Sequence, residues 1–167
     1  MFDRLKYFLA MTVMIIIALS MPVIPNDIPP VNYLTFGPAV AQIFDSKKVV
    51  YGLIEWRRYF DRRTGGLLLC LETGKDDYYL ALGVFKDVNL IERFNGSFSL
   101  SSGIMPEHGE EKLGHVLEFR TSLELYYQSP DNHRLGVSLN HYSNSGLGNI
   151  NPGTESLKLM LSFPVYQ

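Results

Sequence analysis

The sequence predicts an all-β protein in which eight antiparallel strands close into an up-and-down barrel. Three observations support this fold class. From residue 33 onward, apolar and polar residues alternate with period two, which is typical of strands with two different faces. Residues that favour tight turns interrupt this alternation at short intervals, as hairpins require. No run of 18 apolar residues follows residue 33, so the sequence excludes membrane-spanning helices in this part of the chain.

Length and composition fit a single domain and exclude several classes of protein. The chain has 167 residues, of which 46% are hydrophobic, and it contains 15 basic and 17 acidic residues. Without a basic excess, a nucleic-acid partner is not expected. The single cysteine, Cys70, has no partner for an internal disulfide, and the four histidines occur in no zinc-binding motif. We therefore expect no metal and no cofactor.

The first 31 residues have the layout of a signal peptide followed by a Pro-rich lead, which leaves residues 32–167 as the barrel domain. Arg4 and Lys6 precede an uncharged segment at 7–26, as the n-region and h-region of an export signal do. An uncleaved anchor is the alternative, because this apolar run approaches the roughly 20 residues that a spanning helix needs. Either interpretation predicts export of the barrel domain.

Eight segments are predicted as strands, and each is bounded by turn residues. In chain order they are residues 33–44, 48–60, 66–74, 77–87, 91–103, 114–128, 133–143 and 155–166. The connections at 45–47, 61–65, 74–76, 87–89, 104–113, 129–132 and 144–154 are rich in Gly, Asn, Asp and Pro, which favour turns. The first strand, which contains Pro38, and the third, which is rich in glycine, are the weakest predictions.

The last three predicted strands each have one apolar and one polar face. Their apolar faces carry Leu117, Phe119, Leu123 and Leu125, then Leu135, Val137 and Leu139, and finally Leu157, Leu159, Leu161, Phe163 and Val165. A soluble barrel, such as a lipocalin-like carrier, would turn these faces inward, whereas an outer-membrane barrel turns them outward to lipid. Periodicity alone does not decide between the two.

Three further observations favour an outer-membrane β-barrel. The polar faces carry charges such as Glu118, Arg120 and Glu124, which suit a narrow lumen filled with ion pairs. Aromatic residues near strand ends are typical of interfacial girdles, and they include Tyr59, Phe60, Tyr126, Tyr127, Tyr142 and Tyr166. The export signal is the third observation, and exported soluble barrels usually rely on disulfides that this chain cannot form internally.

Three polar residues lie on the apolar side of the last two strands. His141 and Ser143 continue the face of Leu139, and Glu155 continues that of Leu157. Residues two apart on a strand share a face at about 6.5–7 Å, which an imidazole and a hydroxyl can span. A symmetric hairpin would place Glu155 opposite Ser143 and diagonal to His141. A nucleophile, a base and an orienting carboxylate would thereby meet, as in a serine hydrolase.

The same residues also allow a non-catalytic interpretation, because polar groups at a barrel rim often simply face the interface. The remaining histidines, His108, His115 and His133, fall in loops or at a strand start and are expected to be solvated. Ser145 and Ser156 are rival nucleophiles with no comparable pairing to a histidine. Cys70 has no basic sequence neighbour and is expected to be a structural thiol.

The segments His141–Gly146 and Asn151–Ser156, followed by a final strand, resemble the C-terminal signature of the PagL-type lipid A 3-O-deacylases. This family is also described as acyloxyacyl hydrolase-like outer-membrane proteins. The resemblance is strong over about 114–164 and weaker over 33–104. It includes the sequence Leu117-Glu118-Phe119-Arg120 as well as the eleven-residue hairpin that precedes Glu155.

The resemblance implies an eight-stranded barrel in the outer membrane of a Gram-negative bacterium, with lipid A of lipopolysaccharide as substrate. It implies Ser143 as nucleophile, His141 as general base and Glu155 as the group that holds the imidazole. Asn144, Gly146 and Asn151 match the region that supplies oxyanion donors or shapes the site. The implied reaction hydrolyses the ester-linked acyl chain at position 3 of lipid A without a metal.

The number of strands provides a check on this assignment. If the first strand starts on the inner side of the outer membrane, the seventh of eight strands ends on the outer side, and the 144–154 hairpin that follows it lies there. Lipopolysaccharide lies on that side. The alternative function is a non-catalytic structural or lipid-binding barrel among the lipids of the outer membrane. The sequence leaves open the signal cleavage position, the acyl-chain preference and whether the protein forms a homodimer.

Overall fold

The fold is a closed barrel of eight antiparallel strands, seen in a computed structural model that describes residues 32–60, 65–75, 77–106 and 113–165. The strands are β1 (Asn32–Ala41), β2 (Val49–Tyr59), β3 (Gly65–Thr73), β4 (Tyr78–Ile91), β5 (Phe94–Ile104), β6 (Leu117–Gln128), β7 (Arg134–Ser143) and β8 (Thr154–Val165). The predicted signal segment, His108 and Tyr166 lie outside the described residues. All eight predicted strands are present.

Each strand pairs with the next one along the chain, and β8 pairs back onto β1 to close the barrel. Leu34 stands opposite Phe163 across this closing seam. The β1–β8 pairing skips Gly37 and Pro38, while Pro38 remains paired with Gly52 on β2. Proline has no N–H to donate, so the predicted weak point of β1 lies at the seam. The up-and-down topology predicted from the sequence is confirmed.

The exterior of the barrel is apolar, and the lumen is polar. On β6, Leu123 and Leu125 are exposed, whereas Arg120 and Glu124 are buried. The same alternation leaves a band of exposed aliphatic side chains on β3, β4, β7 and β8: Leu67, Leu69, Leu80, Leu82, Leu135, Val137, Leu139, Leu157, Leu159 and Leu161. A barrel with this orientation places its apolar band against lipid.

Ion pairs fill the lumen. Arg120 donates to Glu55 at 2.8 Å and to Glu72 at 2.7 Å, and Lys158 donates to Glu72 at 2.6 Å. Arg57 bonds to Glu55 at 2.6 Å and also to Glu124. Buried charges are costly unless they are paired with good geometry, and here each carboxylate of this network meets at least one cation. The prediction that the charged face lines the lumen is confirmed.

Lumen-facing tyrosines correct one prediction. Tyr59, Tyr126 and Tyr142 were expected in an interfacial girdle, but they face the lumen. The hydroxyls of Tyr59 and Tyr126 both donate to Asp87, and that of Tyr142 donates to Glu72 at 2.7 Å. Their phenol groups extend the ion-pair network to both ends of the lumen. Phe60 and Tyr127 are exposed, as the girdle prediction requires.

The position of the turn between β4 and β5 corrects a second prediction. A turn was predicted at 87–89, but the strands continue past it and the turn lies at Glu92 and Arg93, where Glu92 has φ +46°. Asp87 belongs to the strand and faces the lumen, where it pairs with Arg134 at 3.1 Å. The β1 strand also ends earlier than predicted, at Ala41, because Gln42 adopts φ +55° and leaves the extended conformation.

Within the described ranges, the chain forms no helix that is long and apolar enough to cross a membrane.

Candidate active site

The candidate site lies on the exterior of the barrel where β7 and β8 meet their connecting loop. His141 and Ser143 project on the same face as the exposed residues Val137 and Leu139, as parity predicted. The buried residue between them, Tyr142, projects into the lumen. The two candidate catalytic groups of β7 therefore face the lipid side of the sheet.

His141 and Glu155 form a direct pair across the two strands. Imidazole Nδ1 lies 3.2 Å from Glu155 Oε1, and the two side chains are 41% and 36% exposed. This contact involves one ring nitrogen, so the other nitrogen, Nε2, is left for a second partner. The pair is therefore arranged as a base whose ring is held by a carboxylate.

The register of this hairpin differs from the symmetric one expected from the sequence. Glu155 was predicted opposite Ser143, but it stands opposite His141, and Tyr142 stands opposite Thr154. As a result the carboxylate is a directly opposed neighbour of the imidazole, closer than the diagonal position expected.

Ser143 is the last residue of β7 and is half-buried. Its cross-strand neighbour on β6 is Phe119, and that of His141 is Thr121. Within the described part of the chain, no hydrogen bond joins the Ser143 hydroxyl to the imidazole. Two residues on one strand face are about 6.5–7 Å apart at their backbones, and catalytic hydrogen bonds often tighten only when substrate is bound.

Asn144 organises the loop that follows. Its side chain is fully buried, and Nδ2 donates to the carbonyl oxygens of Leu113 and Ile150, both at 2.7 Å. Its Oδ1 accepts from the N–H of Gly146 at 2.8 Å. The amide hydrogens of Asn144 are thus used by the connection before β6 and by this loop, and the N–H of Gly146 is used inside the loop. These two residues shape the site rather than point free donors outward.

A tight turn at Asn144–Leu147 completes the loop structure. The N–H of Leu147 donates to the carbonyl of Asn144 at 3.0 Å, and Ser145 and Gly146 have φ +54° and +83°. Positive φ at both central positions is the mark of a type I′ turn. Gly146 is suited to it because glycine adopts positive φ without strain.

Asn151 is the remaining candidate donor. Its Oδ1 accepts from the backbone N–H of Asn144 at 3.1 Å, which fixes the orientation of its amide. Its Nδ2 makes no hydrogen bond to any residue that the structure describes, and the residue is half-buried. Of the three loop residues singled out from the sequence, Asn151 alone keeps a side-chain N–H available.

The rival residues considered in the sequence lie apart from this pair. His115 Nδ1 accepts from the N–H of Leu117 at 2.9 Å, and the His133 ring packs on Phe163 with centroids 5.5 Å apart. Ser156 is buried in the lumen, and Ser145 is exposed at the loop turn. Phe119, beside Ser143, was not singled out, because the long connection before β6 hides its register from sequence patterns.

Fold and site together define a transmembrane β-barrel of the outer-membrane type, with a polar Ser/His/Glu group at the border of its lipid-facing surface. The sequence profile of the family described as "Lipid A 3-O-deacylase (PagL)" matches residues 55–164. The chain belongs to this family and is an outer-membrane β-barrel protein. The family resemblance drawn from the hairpin motifs is confirmed.

Solved structures confirm the fold. The "outer membrane enzyme PagL" superimposes with a TM-score of 0.65 at 14% identity, covering 80% of this chain and 99% of that one. Neisserial surface protein A superimposes with a TM-score of 0.57 at 11% identity, covering 80% of this chain and 96% of that one. A de novo designed transmembrane β-barrel superimposes with a TM-score of 0.57 at 9% identity, covering 83% of this chain and 98% of that one. A comparison with curated protein sequences finds no match.

Proposed function

We propose that this protein is a serine esterase that hydrolyses the 3-O-linked acyl chain of lipid A, with Ser143, His141 and Glu155 as its catalytic triad. The observation that carries the proposal is the 3.2 Å contact between His141 and Glu155 on the lipid-facing surface, two residues from Ser143. A carboxylate paired to an imidazole beside a hydroxyl is the arrangement that activates a weak nucleophile. Family membership supports the same reaction.

Each group has a defined step in this mechanism. Ser143 Oγ attacks the ester carbonyl while His141 Nε2 accepts the hydroxyl proton, and Glu155 stabilises the imidazolium through Nδ1. Nε2 then donates that proton to the 3-oxygen of the sugar, which leaves as an alcohol. Water, deprotonated by the same nitrogen, attacks the acyl-serine ester and releases the fatty acid. Ser143 recovers its proton, so the cycle closes without a cofactor.

Asn151 supports the charge that develops in this reaction. Its fixed amide leaves Nδ2 as a donor at the site, and the negative oxygen of a tetrahedral intermediate needs such a donor. Asn144 and Gly146 act indirectly, by holding the loop that presents Asn151.

The position of the triad suits a substrate that stays in the membrane. Exposed Leu139 and Leu157 continue the exterior surface below His141, so an acyl chain can lie on the barrel while its ester reaches Ser143. The homodimer that the sequence left open is not required, because all three groups lie on β7 and β8 of one chain.

The test is hydrolysis of purified lipopolysaccharide by the full-length protein in detergent, followed by mass spectrometry of the lipid A and of the released acid. We expect loss of one 3-hydroxy acyl chain from position 3. Ser143→Ala should abolish release, whereas Ser145→Ala, a hydroxyl two residues away on the exposed turn, should retain it. Release that survives Ser143→Ala in folded protein would refute the triad, and intact lipid A with the wild type would refute the reaction.

A further inference from the structure

Gly153 occupies a special position beside the triad. It directly precedes β8, one register step beyond the Tyr142–Thr154 pair, which places it across from Ser143. Its φ is +69°, a left-handed conformation that residues with a side chain rarely adopt. The backbone conformation alone therefore favours glycine at this position.

A second constraint comes from the imidazole itself. A Cβ added at Gly153 would lie 3.1 Å from Cε1 and 3.7 Å from Nε2 of His141, and 3.3 Å from the carbonyl oxygen of Tyr142. The first of these distances is shorter than an ordinary van der Waals contact between carbon atoms. The backbone of Gly153 thus lies close to the edge of the ring that joins the two nitrogens.

The ring is therefore held by Glu155 on one side and occupies, on another, the space that a side chain at position 153 would need. Glu155 contacts Nδ1 at 3.2 Å, and Gly153 borders Cε1, so the Nδ1–Nε2 edge runs from Glu155 towards the loop end of the hairpin. Ser143 lies at that same end. Proton transfer requires Nε2 on the side of Ser143, and a side chain at position 153 would compete for the space beside this edge of the ring.

Gly146 shows that this second constraint is not general to the loop. It has φ +83°, yet a Cβ there would meet no atom within 4 Å. Gly146 is explained by its turn alone, whereas Gly153 combines the same backbone requirement with close packing on the imidazole.

The two flanks of Ser143 also differ. Phe119 stands beside it on β6, and on the β8 side Gly153 presents no side chain. An ester must reach Oγ from a side where Nε2 can accept the proton, and the bare flank is the one that borders the imidazole.

From these distances we propose that Gly153 is a positioning residue of the site: the absence of a side chain leaves room for the His141 ring in this orientation and keeps open the flank of Ser143 from which the ester approaches. This inference rests on the proposed esterase function. A side chain at this position is expected to turn Nε2 away from Ser143 and to slow proton transfer, with little effect on lipid binding along the barrel exterior.

The experiment compares Gly153→Ala, Gly153→Asn and, as a control, Gly96→Ala. Asparagine tolerates positive φ better than alanine does, so it relieves backbone strain while keeping a Cβ beside the ring. Gly96 lies on β5, where a Cβ would meet nothing closer than 3.7 Å. Two rates are measured on the folded fraction, identified by its heat-modifiable gel mobility: deacylation of lipopolysaccharide, and covalent labelling of Ser143 by a long-chain alkyl fluorophosphonate.

We expect both Gly153 variants to lose about 10²-fold in kcat, the cost of misplacing a catalytic group by about 1 Å. KM should stay within about threefold, labelling should slow in parallel, and Gly96→Ala should match the wild type. Recovery of the wild-type rate by asparagine would overturn the inference, because strain alone would then explain the glycine. Near wild-type rates in both variants would overturn it too. Absence of labelling in the wild type would instead contradict the esterase proposal itself.

Discussion

Replacing Arg120 by methionine removes the central cation of the lumen. The guanidinium is 1% exposed and bonds Glu55 at 2.8 Å and Glu72 at 2.7 Å. Methionine keeps an unbranched, flexible apolar stem but lacks the guanidinium, so the substitution deletes the charge and its hydrogen bonds while the stem still packs. We expect the variant to fold into the same barrel with a lower free energy of unfolding.

The structure sets the size of this effect. Removing one partner of a buried ion pair costs about 3–5 kcal/mol, chiefly because the other charge stays buried. Here neither carboxylate is left alone, since Glu55 keeps Arg57 at 2.6 Å and Glu72 keeps Lys158 at 2.6 Å. The expected loss is therefore near the lower limit, about 3 kcal/mol. Adding Glu55→Gln to Arg120→Met should restore part of it, because it removes the excess negative charge while Arg57 keeps Glu124 and Lys158 keeps Glu72.

The assay is reversible urea unfolding in lipid vesicles, followed by the fluorescence of Trp56, the only tryptophan of the chain. Arg58→Met is the matched control, because Arg58 is exposed on the exterior of β2 and should change stability by less than about 0.5 kcal/mol. Equal stabilities for the two arginine variants would refute the view that the lumen network holds the barrel together. Further destabilisation by the added Glu55→Gln would refute the charge argument specifically.

Three other substitutions test the site and the seam. Glu155→Gln keeps an acceptor for Nδ1–H but removes the charge that stabilises the imidazolium, so kcat should fall by about 10²–10⁴-fold, as judged from other triads; an unchanged kcat would mean that the 3.2 Å contact has no catalytic role. Asn151→Ala should lower kcat by about 10²–10³-fold, the effect of losing one oxyanion donor, with Ser143 labelling slowed as well. Pro38→Ala restores a backbone N–H beside the gap in the β1–β8 pairing and should raise the free energy of unfolding in urea by about 1 kcal/mol; an unchanged value would show that the missing N–H does not cause the gap.

The aromatic residues show where sequence reasoning had enough information and misused it. Tyr126 shares the parity of Glu124, and Tyr142 that of Asn140, so the alternation already assigned both to the lumen. Their nearness to strand ends suggested a girdle instead. Side-chain parity is fixed by backbone geometry, whereas enrichment near an interface is only a tendency, and parity is the stronger guide.

Chain connectivity and face alternation decided the fold and the location of the candidate site. The alternation alone places His141, Ser143 and Glu155 on the apolar face, because successive strand residues point to opposite sides of a sheet. The turn predicted at 87–89 was wrong, because a lumen-facing acidic residue and a turn-forming one cannot be told apart in a sequence.

The sequence by itself determined which residues share the lipid-facing surface, and only the tertiary structure decided which of them touch. Glu155 opposite Ser143 and Glu155 opposite His141 differ by two residues of register, and a shift of two preserves every face of a strand with period two. Alternation is therefore blind to this difference. The hydrogen bonds of Asn144 to Leu113 and Ile150 fix the loop, and they join segments that no local pattern relates.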